Sequence, residues 1–416
     1  MSNPVQRPVH VSGYRVIDGR ADSGRPQDGT DAPRTLLSGL FGGGGVRTSR
    51  AFLSEAFRAN GLLFGDEAGG GADGDGGPGP RMRMDEVLKR CAATVATLRS
   101  VGHVYDSVLI NMEGVYDEEG ARLRDEVELT VTLVEKKWYS AYVGGGVKAT
   151  AGGPFSPGAG PGGFSSGAAA AGDPAALLPT AQFEARGTLT NLTGAGDVHA
   201  AEYTVDAHGD VAASVRRTVP IIVEDLVGSP VAFVSCGAVK ETADHSALRS
   251  YREHGSSLYA SISNHPHPNA HLDPRPYASL GWRGATRDVV PARHPTLPHA
   301  CAASPHVVAH AGPSAKHSLS AEFRTNGAYL DDHRAPTDGA DATGRLELSG
   351  PPGDCCCVRA EGGGAVHLPL GGTAAAAALH LSLAGGVARP LRAGGTPVHL
   401  SDRFLPGGPM QLRGFA

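Results

Sequence analysis

The sequence predicts a mainly β chain, in which a small β-α-α-β-β domain precedes a long series of antiparallel strands. Three observations carry this expectation. Helical periodicity is confined to residues 46–100. After Lys137 the chain breaks into alternating polar and apolar segments of about ten residues. Gly 59 plus Pro 30, about 21% of 416 residues, supplies turns at a density that a helical bundle does not tolerate, since each interior Gly costs a helix ~1 kcal/mol and Pro more.

The small domain opens with a strand, His10 to Ile17. Thr48 is placed to N-cap a short helix whose Phe52, Leu53, Ala56 and Phe57 share a face, and Asn60-Gly61 stops it. In a second helix, Met84 to Ser100, Val87, Cys91, Val95 and Leu98 fall on one stripe, with Gly102 at the αL cap position. Two strands follow, His103 to Ile110 and Glu126 to Glu135. In the second, Val127, Leu129, Val131 and Leu133 face away from Glu126, Glu128, Thr130 and Thr132. Such a sheet is half exposed and has an edge free to pair.

Eleven alternating segments come after Lys137: 138–148, 182–192, 198–207, 212–222, 231–241, 256–263, 277–287, 315–325, 345–349, 365–370 and 376–388. Leu319, Ala321 and Phe323 oppose Ser318, Ser320, Glu322 and Arg324, and Leu381 and Leu383 oppose His380 and Ser382. The dyad fits a transmembrane β-barrel with a wet lumen and a soluble β-sandwich equally well, since both have one polar and one apolar face. Gly/Pro/Ala-rich stretches at 19–45, 67–80 and 151–173 carry too little apolar surface to order themselves and read as loop insertions.

Other classes are disfavoured by composition. Net charge −5 and a pI near 6.4 argue against nucleic acid. Six cysteines, three of them consecutive at Cys355 to Cys357, do not form a disulfide scaffold and suit a reducing compartment. The N-terminus has no apolar run of a cleaved secretory signal. No stretch of 18 apolar residues offers a transmembrane helix, which leaves a barrel open.

The stretch from Leu400 to Phe415 reads Leu-Ser-Asp-Arg-Phe-Leu-Pro-Gly-Gly-Pro-Met-Gln-Leu-Arg-Gly-Phe. It resembles the D-R-F-x-x-G-G-x-x-x-[LVI]-R-G-F/Y signature of the outer-membrane β-barrel assembly (bacterial surface antigen) superfamily. The branch it most resembles supplies the barrel subunit of the mitochondrial sorting and assembly machinery. Asp402, Arg403, Phe404, Gly407, Gly408, Leu412, Arg413, Gly414 and Phe415 match, while Pro406 departs from the usual apolar residue. Thr190-Asn191-Leu192-Thr193-Gly194 resembles the N-L-x-G turn after the second barrel strand. Leu248 to Gly255 resembles a loop before the sixth strand, and Lys316 to Ser320 a later strand. Residues 46–137 look like a POTRA domain opened by Val46-Arg47-Thr48.

The resemblance implies an organisation of 1–45 as strand and insert, 46–137 as the POTRA-like domain and 138–416 as a transmembrane β-barrel. Family barrels have sixteen strands, and the signature loop folds into the lumen between the eleventh and twelfth. About eleven are therefore present, and the chain reads as C-terminally truncated. The implied protein is not an enzyme and needs neither cofactor nor metal. It inserts β-barrel precursors into the mitochondrial outer membrane, with a plastid outer-envelope relative as the alternative; a soluble β-sandwich binding module is the alternative from another class. Its partners are precursor polypeptides, accessory subunits of the assembly complex and membrane lipid. Strand 138–148, with Gly144, Gly145 and Gly146, is half of a lateral gate. Asn191, Leu192 and Gly194 form the turn motif. Arg413 binds a carboxylate on the lumen wall, with Phe415 anchoring the loop tip.

Remaining motifs have plainer readings. Gly163 to Gly167 fits G-x-S-x-G but lies in a Gly/Pro tract without the strand-turn-helix of a nucleophile elbow. His265, His267, His271 and Asp273 read as a solvated Pro-rich turn. Asn191-Leu192-Thr193 fits a glycan acceptor, a match that the family turn explains better.

Overall fold

A computed structural model of the chain describes residues 8–18, 46–62, 81–101, 104–116, 122–148, 180–206, 210–244, 251–265, 276–291, 311–330, 336–370, 378–391 and 398–399. Gly102 and the stretches 19–45, 67–80 and 151–173 lie outside the described residues. Two compact units result: Met1–Ser140 with Leu189–Val198 and Val219–Ala232, and the remainder.

In the small domain, β1 (Pro8–Asp18), α1 (Arg50–Ala59), β2 (Met82–Arg83), α2 (Met84–Ser100), β3 (Tyr105–Tyr116) and β4 (Arg122–Glu135) build a four-stranded sheet of order β2-β1-β4-β3. β1 runs parallel to β4, and β3 antiparallel to it. Phe52, Leu53, Ala56 and Phe57 of α1, Val87, Cys91 and Leu98 of α2, and Val127, Leu129, Val131 and Leu133 of β4 are buried, as their periodicity predicts. Tyr14 of β1 stacks on Phe57 with ring centroids 4.8 Å apart.

The helix ends differ from expectation. Ser49, not Thr48, caps α1, accepting from the Phe52 N–H at 3.2 Å. Thr48 is drawn into another network, described below. Gly61 ends the helix at φ +72°, a conformation that costs glycine least. On α2 the stripe shifts: Thr94 and Thr97 are buried, their hydroxyls donating to the Arg90 and Ala93 carbonyls, and Val95 is only half-buried.

The large sheet contains β5 (Tyr139–Lys148), β6 (Thr180–Thr190), β7 (Val198–Asp206), β8 (Val211–Leu226), β9 (Ser229–Asp244), β10 (Tyr251–Ser263), β11 (Tyr277–Pro291), β12 (Gly312–Asn326), β13 (Tyr329–Leu330), β14 (Pro336–Gly350), β15 (Cys357–Pro369) and β16 (Ala378–Pro390). Its order is sequential from β5 to β16, with two-residue β13 off the path beside β14. All eleven predicted segments are strands. Segments 345–349 and 365–370 are the ends of longer strands, because Gly339, Gly344 and Gly362 to Gly364 have no side chains to register in a dyad.

Which face is which excludes the sandwich. Leu258, Leu280, Leu319, Phe323, Leu346 and Leu381 are exposed, whereas Ser257, Lys316, Ser318, Glu347 and His367 on the opposite face are buried. A sandwich buries the other set.

The exposed apolar belt also drifts. Ala260, its centre on β10, is level with Trp282, Leu319, Leu348, Val358 and Arg389. On β16 the belt is centred at Leu383, six residues from Arg389, after five strand-to-strand steps. At roughly 3.3 Å per residue and roughly 4.8 Å between strands, the strands tilt by roughly 40° against the belt, inside the range of closed barrels.

Burial pushes the Cys91 thiol from 9.0 up to about 11. It raises the Tyr105 phenol too, and the nearby Glu135 carboxylate adds to the rise. The fold thus prefers both groups neutral, and the unfolded chain releases their protons first. The contribution of these two groups to the small domain's stability should be fully present below about pH 9 and fall as the pH rises through about 11, less steeply in Cys91→Ala. Urea midpoints read from Trp138 fluorescence in a Trp282→Phe background check this.

Candidate functional site

The start of β5 is held by three short pieces of chain that belong to one compact unit: residues 46–49, the end of β4 and the turn 190–197. Glu135, the last residue of β4, is the centre. Its Oε1 accepts from the Arg47 N–H (3.0 Å), the Thr48 N–H (2.7 Å), the Thr48 hydroxyl (2.5 Å) and the Asn191 side-chain amide (3.3 Å). Because the Thr48 proton goes to the carboxylate, the Tyr105 hydroxyl donates to Thr48 Oγ1 at 3.0 Å. This is why Thr48 cannot cap α1.

The turn is shaped to reach that point. Asn191 sits at φ +57°, its Oδ1 accepting from the Gly196 N–H at 2.8 Å. Asp197, fully buried, accepts from the Thr193 N–H (3.0 Å) and hydroxyl (2.7 Å). Gly194, at φ +81°, presents its carbonyl to the Ser49 N–H at 2.8 Å, and a Cβ there would stand 2.8 Å from the Arg47 carbonyl. Asn191 is 3% exposed, so the Asn-Leu-Thr triplet is closed to a glycan.

Three residues after Glu135, Trp138 is fixed on two sides. The Arg47 guanidinium lies over its ring at 4.5 Å, and its carbonyl accepts from the Thr190 N–H at 2.6 Å. The structure thus joins Val46-Arg47-Thr48 to the Asn191–Gly194 turn, two motifs far apart in sequence. Glu135 escaped notice because on β4 it reads as one more polar residue of the dyad.

Gly144, Gly145 and Gly146 lie on β5, one end of the sheet path. The Tyr142 ring lies over Gly144 and fills the space a side chain would need; a Cβ on Gly145 would meet only Gln182 O at 3.8 Å.

Several charges on the buried face of β10–β16 are paired. Lys316 Nζ contacts Glu347 Oε1 at 2.7 Å, with both side chains under a tenth exposed. Arg345 bridges Glu347 (4.0 Å) and Glu361 (3.8 Å), and Arg359 meets Glu361 at 3.2 Å. Arg324 pairs with Glu322, and Arg287 with Glu253. His367 stands between Asp341 (3.3 Å) and His380 (2.7 Å). Among the described residues no group of three or more His, Cys, Asp or Glu is placed to hold a metal.

Asp402, Arg403, Phe404, Gly407, Gly408, Leu412, Arg413, Gly414 and Phe415 lie outside the described residues, as do Gly163 to Gly167, His267, His271 and Asp273. Cys355 and Cys356 are partly exposed in the β14–β15 connection, and Cys357 is buried.

Residues 244–416 match the family model of the Omp85 superfamily domain. No curated protein matches the chain. Among solved structures, BamA from Haemophilus ducreyi lacking POTRA domains 1–3 is 15% identical with a TM-score of 0.60, over 98% of this chain and 60% of that one. CdiB from Acinetobacter baumannii is 13% identical with a TM-score of 0.43, over 98% of this chain and 57% of that one. The fold is that of the BamA structure, and this chain spans 60% of its length.

Glu135→Ala strips an acceptor from four donors and should cost about 3 kcal/mol in urea unfolding, whereas Glu55→Ala on the exposed side of α1 should stay within about 0.5 kcal/mol. Lys316→Met leaves Glu347 with only the longer Arg345 contact and should lower unfolding stability in detergent by about 3 kcal/mol; adding Glu347→Leu should restore most of it.

Proposed function

We propose that this chain is part of an Omp85-superfamily assembly protein that inserts β-barrel precursors into the mitochondrial outer membrane, using β5 as one side of a lateral gate. The observation that carries the reading is the sheet's reversed polarity: apolar side chains outward in a tilted belt, ion pairs inward. Lipid is the solvent that matches such a surface. A precursor strand has backbone N–H and C=O groups that cannot enter hydrocarbon unpaired, and β5 at the sheet's end offers them hydrogen bonds by β-augmentation. No nucleophile, metal or cofactor chemistry enters this function.

The match across 244–416 supports the superfamily. The Asp402–Phe415 signature favours the mitochondrial branch over a plastid outer-envelope one. On this reading the small domain receives precursors, accessory subunits dock beside it, and Arg413 holds the signature loop against a wall carboxylate.

Two measurements test this. The protein should resist carbonate extraction and fractionate with mitochondria; a monodisperse soluble monomer overturns the membrane reading, and plastid fractionation overturns the organelle. Arg413→Ala in the full protein should slow assembly of a radiolabelled barrel precursor about tenfold, ~1.4 kcal/mol. Wild-type rates remove Arg413 from the site.

A further inference from the structure

We propose that His367 and His380 form a two-histidine site for a divalent transition-metal ion such as Zn2+, with Asp341 as its positioning residue. The site goes beyond the proposed function and stands or falls independently of it.

Register brings the two rings together. His367 of β15 and His380 of β16 stand directly opposite each other in an antiparallel pair, on the face that carries the ion pairs. Their Nδ1 atoms lie 2.7 Å apart, with ring centroids at 5.0 Å. At the other end of the His367 ring, Nε2 lies 3.3 Å from Asp341 Oδ2. An ionised carboxylate only accepts, so this contact puts the neutral ring's proton on His367 Nε2 and aims the Nδ1 lone pair at His380. Without metal, His380 donates its own Nδ1 proton into that gap. Moving this proton to His380 Nε2, the other neutral tautomer, turns two lone pairs on one point. Tetrahedral zinc with bonds of roughly 2.0–2.1 Å needs its nitrogens about 3.3 Å apart, so the rings open by about 0.6 Å. A carboxylate behind a ligating histidine is the usual support of such sites, because it fixes tautomer and ring orientation together.

Charge favours a cation at this point. Asp341 Oδ1 is buried and has no hydrogen-bond partner among the described residues, which leaves the carboxylate undercompensated. Two residues away on the same face stand Gly339 and Thr343 on β14, Ala365 and Pro369 on β15, and Ala378 and Ser382 on β16. None of these carries a charge that would repel the ion. His367 is 5% exposed whereas His380 is exposed, so the ion reaches the pair from the His380 side and keeps water in its remaining positions. Two imidazoles plus water suit Zn2+, Ni2+ or Cu2+, whereas Mg2+ and Ca2+ require oxygen ligands. Bonded to both rings, the ion staples β15 to β16, a strand exposed along most of its length.

Zn2+ titration of the full protein in detergent, read by competition with a chromophoric chelator, tests the site. A Cys355→Ser, Cys356→Ser background removes the partly exposed thiols. His380→Gln, a polar change at an exposed position, should weaken one Zn2+ equivalent at least tenfold. Asp341→Asn should weaken the same equivalent about tenfold and Asp341→Glu should recover it, with millimolar Mg2+ without effect. Bound Zn2+ should also shield His380 from diethyl pyrocarbonate, mapped by mass spectrometry, while His254 on the opposite face stays reactive. Equal Zn2+ affinity with and without His380, or equal modification of His380 with and without Zn2+, overturns the site. Full affinity in Asp341→Asn overturns the positioning role.

Discussion

Pairing of charges on the inner face of the large sheet is the constraint on which the rest of that sheet depends. An ion buried without a partner costs several kcal/mol, so a wall that carries charges inward must neutralise them within its own surface. Strand positions two apart supply Glu322 and Arg324, Arg345 and Glu347, Arg359 and Glu361. The register then sets Glu322 opposite Arg345, Arg345 opposite Glu361, and Glu347 opposite Arg359. A slip of one residue would turn every charge outward among the leucines, and a slip of two at β12–β14 would bring Glu322 level with Glu347. The outer face cannot specify register, because Leu346 and Leu348 are alike and exposed, and exchanging their positions changes no packing. The charges therefore do for this sheet what interlocking side chains do in a dry core.

The small domain solves the opposite problem. Its core is dry and packed by Phe57, Leu129 and Leu133, and its polar demand is concentrated at the end of β4, where chain direction changes into β5. There one carboxylate gathers two backbone N–H groups, a hydroxyl and an amide that would otherwise be stranded. Using Glu135 for this has a structural consequence: the segment before α1, the end of β4 and the turn after β6 share a single acceptor. Movement of any one of them must break bonds of the other two. The anchored start of β5 follows from that sharing and not from the strand's own sequence.

The fold was largely legible because both periodicities are strong where they matter. Phe52, Leu53, Ala56 and Phe57 declare α1, and Val127 to Leu133 declare β4. Legibility failed where side chains vanish or where partners are distant. The glycines of β14 and β15 hid most of two strands, since a dyad cannot be read through positions that have no side chain. Thr48 looked like a cap because local sequence offers only the helix as its partner; Glu135 lies 87 residues away and forms the better bond. The same distance hid the site. Val46-Arg47-Thr48 and Asn191-Leu192-Thr193-Gly194 were recognisable separately, and nothing in the chain between them states that they meet.

The glycine excess that first marked the sequence is not one phenomenon. Gly61 and Gly194 are needed for backbone with positive φ. Gly144, Gly237 and Gly284 lie beneath the rings of Tyr142, Tyr259 and Trp282, which occupy the space of the missing side chain. Gly344, Gly362 and Gly385 form a third class, a single row across three neighbouring strands of the apolar face. Bare backbone in three adjacent strands is the weakest arrangement a sheet can hold, because each glycine gives up packing and gains entropy when released. Yet the adjacent row on the opposite face contains Arg345 and Glu361, the first of which also reaches Glu347. The row with least packing is thus backed by a row that contains an ion pair, Arg345 with Glu361. A glycine stripe at this position persists because the ion pairs behind it hold the strands in register, and without them it would be the line along which the sheet parts.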